Sequence, residues 1–136
     1  MESNDTLNTA GFSLQGTLIE RMGIELTKVT PALTTGRMPV EGNTQPAGLL
    51  HGGASVVLAE TLGSIAAQAH AGPGKAAVGI EINATHHAGI REGVVYGESR
   101  AIHLGRSTAS FEIIISDESG RRICTSRLTC MIIEAR

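Results

Sequence analysis

The chain has 136 residues, enough to bury one sizeable core but not two. Hydrophobic residues make up 41% and charged residues 18%, a globular rather than a disordered composition. A net charge of −2 argues against a basic nucleic-acid surface, and aromatic content limited to Phe12, Tyr96 and Phe111 argues against a base-stacking platform.

The start, MESNDTLNTA, is polar and lacks the positive region of an export signal. Residues 6–22 read as one or two short amphipathic helical turns, with Leu7, Leu14, Leu18 and Met22 on the apolar side. IELTKV (24–29) alternates apolar and polar residues, a strand signal, and Pro31 ends it. ALTTGRMPV (32–40) returns as a second strand, so the two form a hairpin, and EGNTQPAG (41–48) is a loop. Residues 52–70 form one strong helix, ended by Gly72-Pro73-Gly74. Four strands follow: AAVGIEINATHH (76–87), GVVYGESRAIHL (93–104), STASFEIIIS (107–116) and RRICTSRLTCMII (121–133), with REG and DESG as turns.

Strands joined by short turns pair antiparallel. A single apolar helix buries itself only against that sheet. The predicted class is therefore α+β, an antiparallel sheet curled around one central helix that is apolar on all sides and so almost fully wrapped. Cys124 and Cys130 share the last strand, about 20 Å apart, too far to bond. Alternation sets them as packing residues on the face opposite Ile123 and Leu128. Free thiols, no export signal and no apolar run of spanning length predict a cytoplasmic protein without a membrane partner.

Within GLLHGGASVVLAETLGSIAAQAHA (48–71), Glu60 is the one charged side chain between His51 and His70. Helical spacing puts Gly53, Val57, Glu60, Ser64 and Ala67 on one stripe about 80° wide, with Glu60 and Ser64 a turn apart. The helix begins at His51-Gly52-Gly53, where unpaired N–H groups and the dipole favour negative charge, and glycine admits a ligand to the backbone. Burial would raise the Glu60 pKa unless hydrogen bonds from Ser64 or Thr61 hold it down. Gly52 and Glu60 are about 12 Å apart along the axis, too far to serve one carbonyl from the same helix. Two antiparallel copies side by side solve this, with Gly52 from one and Glu60 from the other, at two equivalent sites of a twofold dimer. Spacing alone leaves equal room for a structural Glu60. No His, Cys or Asp cluster has metal-ligand spacing, so no metal is expected.

QPAGLLHGGASVVLAETLGS closely resembles the active-site segment of the hotdog-fold acyl-CoA thioesterases. The nearest branch is the aryl-CoA one, with 4-hydroxybenzoyl-CoA and 1,4-dihydroxy-2-naphthoyl-CoA thioesterases of the Glu-on-helix type. The phenylacetate-pathway branch usually has Asp where this chain has Glu60. The similarity runs from about residue 18 to 133 through GRMPV, LLHGGASVVLAE, VGIEINATH, REG, IHLGRST and SRLT in family order. It implies a single hotdog domain over residues 1–136, with 1–22 as an N-terminal helical segment.

The implied activity is hydrolysis of an acyl-CoA thioester, with an aromatic acyl group favoured. Release of wrong acyl groups from carriers is the alternative. Glu60 would be nucleophile or general base, Gly52 the oxyanion donor and Gln45 a second polarising donor. His51 would orient the helix start or the substrate, and Ser64 would position Glu60 or water. His86 would face the acyl group. His86-His87-Ala88-Gly89 and His103-Leu104-Gly105-Arg106-Ser107-Thr108 resemble CoA-binding strand ends. Gly79 would let pantetheine pass the strand, and Arg91 and Arg106 would meet CoA phosphates. Coenzyme A is then part of the substrate and no cofactor is needed. Dimers sharing their sites would assemble into a homotetramer.

Two rivals stand apart. A hotdog hydratase pairs an acid with a His five residues on, and no His follows Glu60 closely. A non-catalytic acyl-CoA sensor would carry a DNA-binding or partner domain, for which this chain is too short and too acidic. Arg100, Arg121, Arg122 and Arg127 read as solvated or subunit-contact charges.

Overall fold

The computed structural model describes residues 13–136. A single helical turn, α1 (Leu18–Arg21), precedes a hairpin of β1 (Glu25–Val29) and β2 (Leu33–Pro39). A pinned loop leads into the long helix α2 (Gly52–Ala71). Then come β3 (Lys75–His86), β4 (Val94–Leu104), β5 (Thr108–Ser116) and β6 (Arg122–Glu134). The six strands form one antiparallel sheet in the order β1-β2-β4-β5-β6-β3. The expected α+β hotdog architecture is what the chain adopts.

Strand alternation supplies the core. Leu26, Met38, Val95, Phe111, Ile113 and Leu128 turn to the inner face and meet Leu58, Leu62 and Ala66 of α2. Paired Gly36 and Gly97 form a notch for Leu62: a Cβ on Gly97 would lie 2.5 Å from Leu62 Cδ1. The notch seats the middle of α2 at one height and rotation over the sheet.

Four expectations are corrected. Leu7 lies outside the described residues. Leu14 is buried and Met22 packs against the core, but Leu18 is 54% exposed. One turn between Gly16 and Gly23, both at positive φ, is too short to align an apolar stripe. REG is not a tight turn between neighbours: residues 87–93 cross over, because β4 already has β2 and β5 on its flanks and β3 lies beyond β6. Leu128 shares the inner face with Cys124 and Cys130 rather than opposing them; all three are even-numbered positions of one strand and fully buried. Finally, α2 is not wrapped all round. Gly53 and Glu60 are exposed in the single chain, and Val57 and Ser64 are half-buried.

β3 is an edge strand of 12 residues. Its register slips between Gly79 and Glu81, a bulge that leaves Ile80 unpaired and exposed, with Val78 exposed beside it.

Candidate active site

The first turn of α2 is built around His51. Its Nδ1 accepts the Gly53 N–H at 2.8 Å, a side-chain cap that requires the proton on Nε2. Among the described residues no acceptor takes the Gly52 N–H, so it is available at the positive end of the helix. The His86 ring closes over it. A Cβ on Gly52 would stand 3.0 Å from His86 Nε2, so glycine is what permits this approach.

These groups open on a cleft of about 370 Å³ lined by Gln45, Leu50, Gly52, Ser55, His86 and Ile123, with Leu49 and His87-Ala88-Gly89 around them. The Gln45 carboxamide oxygen accepts from the Ala47 N–H, which leaves its NH₂ as a donor. The walls are tied in place. Asn43 donates to Met22 and Pro39 carbonyls, Leu50 N–H to Ile90 O, and Arg91 Nη1 to Ala47 O at 3.0 Å. Arg121 Nη2 reaches Gly89 O at 2.8 Å while its Nε pairs with Asp117. The Ser119 hydroxyl, with the amides of Arg121 and Ser119, holds Asp117 below its usual range against the opposing effect of desolvation. Arg91 and Arg121 thus brace the cleft.

His86 and His87 part company. His86 turns inward over Gly52, whereas His87 points to the other face and bonds Thr125 Oγ1 at 2.8 Å.

Glu60 sits away from this cleft, and its carboxylate rests on β3. A Cβ on Gly79 would lie 2.9 Å from Glu60 Oε2, so Gly79 makes room for the carboxylate. Directly across from Gly79 on β6 is Cys130. Burial pushes the Cys130 thiol up, a nearby Ser64 hydroxyl pulls the other way, and the Glu60 charge pushes it up further. Burial likewise raises Cys124. Both remain protonated packing residues at neutral pH. Neither Ser64 nor Thr61 bonds Glu60 among the described residues, and Glu60 is exposed rather than buried in the single chain. Ser64 faces the Cys130 thiol instead.

The third expected group lies at the far end of α2. His103 to Thr108 run from the end of β4 through the 105–107 connection to the start of β5, where His70 Nε2 meets Gly105 O at 2.7 Å and Gly105 N–H bonds Thr108 O. Arg106, Leu104, Gly105, His70, Lys75 and Ile132 line a cavity of about 280 Å³ there. Since α2 is 20 residues long, this end is about 30 Å from Gly52. One chain therefore holds Gln45, His51, Gly52 and His86 together, Glu60 with Ser64 and Gly79 in the middle, and His103–Thr108 apart.

The model of the thioesterase superfamily matches residues 47–124, from the capping loop through β6's start. The chain belongs to the thioesterase superfamily. Proofreading thioesterase EntH of Cronobacter turicensis is 47% identical over 129 residues, 94% of each chain, and that of Klebsiella pneumoniae is 46% identical over the same span. Thioesterase HI1161 of Haemophilus influenzae superposes with a TM-score of 0.88 at 36% identity, covering 98% of this chain and 92% of that one. A mutant of thioesterase PA1618 of Pseudomonas aeruginosa gives 0.89 at 37% identity, covering 99% and 96%. As a member of this superfamily the chain is a thioester hydrolase.

A thioester hydrolase must stabilise a carbonyl oxygen and bring a base or nucleophile to the carbon. The Gly52 amide suits the first task and a carboxylate the second. Sequence reasoning passed over Ser55, Leu49, Leu50 and Ile123 in the cleft. Spacing could have flagged Ser55, which falls on the face of Gly52 three residues on, and Leu49 and Leu50, which adjoin the cap. Nothing local marks Ile123. Among the described residues no helix is long and apolar enough to span a membrane.

Proposed function

We propose that the chain clears wrongly attached acyl groups from phosphopantetheine thioesters, acting as a twofold dimer in which Gly52 of one copy and Glu60 of the other serve the same carbonyl. The observation that carries it is the separation within one chain: Gly52 opens on the cleft at the start of α2, while Glu60 lies open on the side of edge strand β3. An unpaired 12-residue edge with exposed Val78 and Ile80 is a template for pairing with another strand. Antiparallel pairing of two β3 edges sets the helices side by side in opposite directions. The middle of one then lies near the start of the other, and the Arg106 end of one near the His86 end of the other.

In that arrangement the thioester oxygen sits at the Gly52 N–H, with Gln45 NH₂ and His86 around it. Glu60 takes a proton from water as its oxygen adds to the carbonyl carbon, or attacks that carbon itself. Either way the C–S bond breaks and thiolate leaves with little need for an acid; after direct attack, water then cleaves the mixed anhydride to free the acid and restore the Glu60 carboxylate. The name carried by the relatives, proofreading thioesterase, favours broad acyl clearance over a dedicated aryl-CoA enzyme.

Two inactive variants test the shared site. Glu60→Ala and Gly52→Val are each expected to be inactive. Mixed and reannealed, they should recover about a quarter of wild-type activity, since half the dimers are hybrid and each hybrid has one intact site. No recovery overturns the shared site. Thiol release from acylated carrier protein and from benzoyl-, 4-hydroxybenzoyl-, naphthoyl- and medium-chain acyl-CoAs tests the substrate. Similar rates across acyl groups fit clearance; a steep preference for one aryl-CoA restores the dedicated enzyme.

A further inference from the structure

Ser55 is 1% exposed, yet it lines the cleft beside Gly52. A serine inside a helix usually returns its hydroxyl to the carbonyl four residues back. Here that carbonyl, His51 O, already accepts the amides of Ala54 at 2.9 Å and Ser55 at 3.3 Å. The Ser55 hydroxyl makes no hydrogen bond among the described residues, and it is not sealed in as the Ser99 hydroxyl is. A buried hydroxyl left without a partner is costly unless something enters to meet it. Ser55 lies three residues after Gly52 on the same face, and a helical side chain leans over the turn before it. Its hydroxyl is therefore carried back toward the free Gly52 N–H.

Resting on the proposed reading of the cleft, we infer that Ser55 is a further catalytic residue, whose hydroxyl donates to the thioester oxygen held at the Gly52 amide. The developing oxyanion then has a side-chain donor beside the backbone one. Ground-state binding gains less than the transition state, because charge grows on that oxygen only as attack proceeds.

The test is steady-state kinetics of wild type, Ser55→Ala and Ser55→Thr on several thioesters, with melting curves to show that each variant folds. Removing an oxyanion donor predicts a kcat loss of roughly 100- to 1000-fold for Ser55→Ala, with KM nearly constant and the same factor for every acyl group. Ser55→Thr keeps the hydroxyl and should hold most of the rate. Full kcat in Ser55→Ala overturns the assignment. So does a loss confined to acyl groups with polar substituents, since Ser55 would then read the acyl group. Glu60→Gln run alongside separates the two levels: a fully active Glu60→Gln removes the reading of the site itself. An inactive Glu60→Gln beside a fully active Ser55→Ala removes only the role of Ser55.

Discussion

The first turn of α2 and its middle are one helix with two kinds of surroundings. The first turn is completed by its own chain: His51 caps it, His86 covers Gly52, and Arg91 and Arg121 tie down the segments around it. The middle is not. Glu60 rests on Gly79 yet stays exposed, beside an unpaired strand edge. A first turn finished by its own chain, with an open carboxylate farther along the same helix, is what the proposed division of the site between two copies requires of one copy. The difference also separates activity from stability. An exposed carboxylate contributes little to holding the chain folded, so its removal should be read in turnover alone.

Glu60→Gln is the largest break in that comparison. Turnover should fall about a thousandfold, some 4 kcal/mol of transition-state stabilisation, while the melting temperature stays within a degree or two. Thiol-release assays and a thermal melt on one preparation settle it. Retained turnover with a large drop in melting temperature would make Glu60 structural and erase the contrast.

Gly97→Ala strikes the seat of the middle. The added methyl falls 2.5 Å from Leu62 Cδ1, and Leu62 is two residues from Glu60. Overpacking of this kind costs about 1–3 kcal/mol. Denaturant unfolding should show that loss, and kcat should drop with it because the height of Glu60 over Gly79 changes. An unchanged midpoint would mean that the notch does not seat the helix.

How far the sequence spoke differed between these regions. Alternation in IELTKV and STASFEIIIS and the Gly-Pro-Gly stop after the helix carried local information, and the elements lie within a residue or two of where those signals put them. Sheet order did not follow, because nothing in residues 76–87 states which strand they pair with; β3 joins β6, the strand farthest along the chain. The site was half readable for the same reason. Gly52 and His51 announce a helix start, but the contact of Gly79 with Glu60 joins residues 19 apart, and the sequence singled out Gly79 only for the passage of pantetheine, not for making room for a carboxylate. Ser55 went unnoticed because a serine in the first turns of a helix is ordinary until its carbonyl partner is found to be occupied.

His51→Ala sharpens the first-turn side. Loss of a side-chain cap costs about 1 kcal/mol and frays the turn that presents the Gly52 amide. Stability should fall by that much, and kcat/KM by roughly tenfold through the orientation of that amide. His51→Asn supplies another good cap and should restore most of both. If Asn restores stability but not turnover, the His51 ring touches the substrate and its role is more than capping.

Ser99→Ala gives the smallest effect and belongs to neither region, which makes it the control for Ser55. Ser99 is fully buried on β4, facing the core between Thr34 and Ile113, and its hydroxyl has no hydrogen-bond partner among the described residues. An unpaired buried hydroxyl costs more than the oxygen's packing returns, so alanine should be neutral or stabilising by up to about 1 kcal/mol. The unfolding midpoint should hold or rise, with kcat unmoved. Ser55→Ala removes the same oxygen from an equally buried residue, but from one that lines the cleft. If both variants leave turnover untouched, the two hydroxyls are alike and opening on the cleft carries no chemistry. If only Ser55→Ala slows the enzyme, the cleft is what distinguishes them.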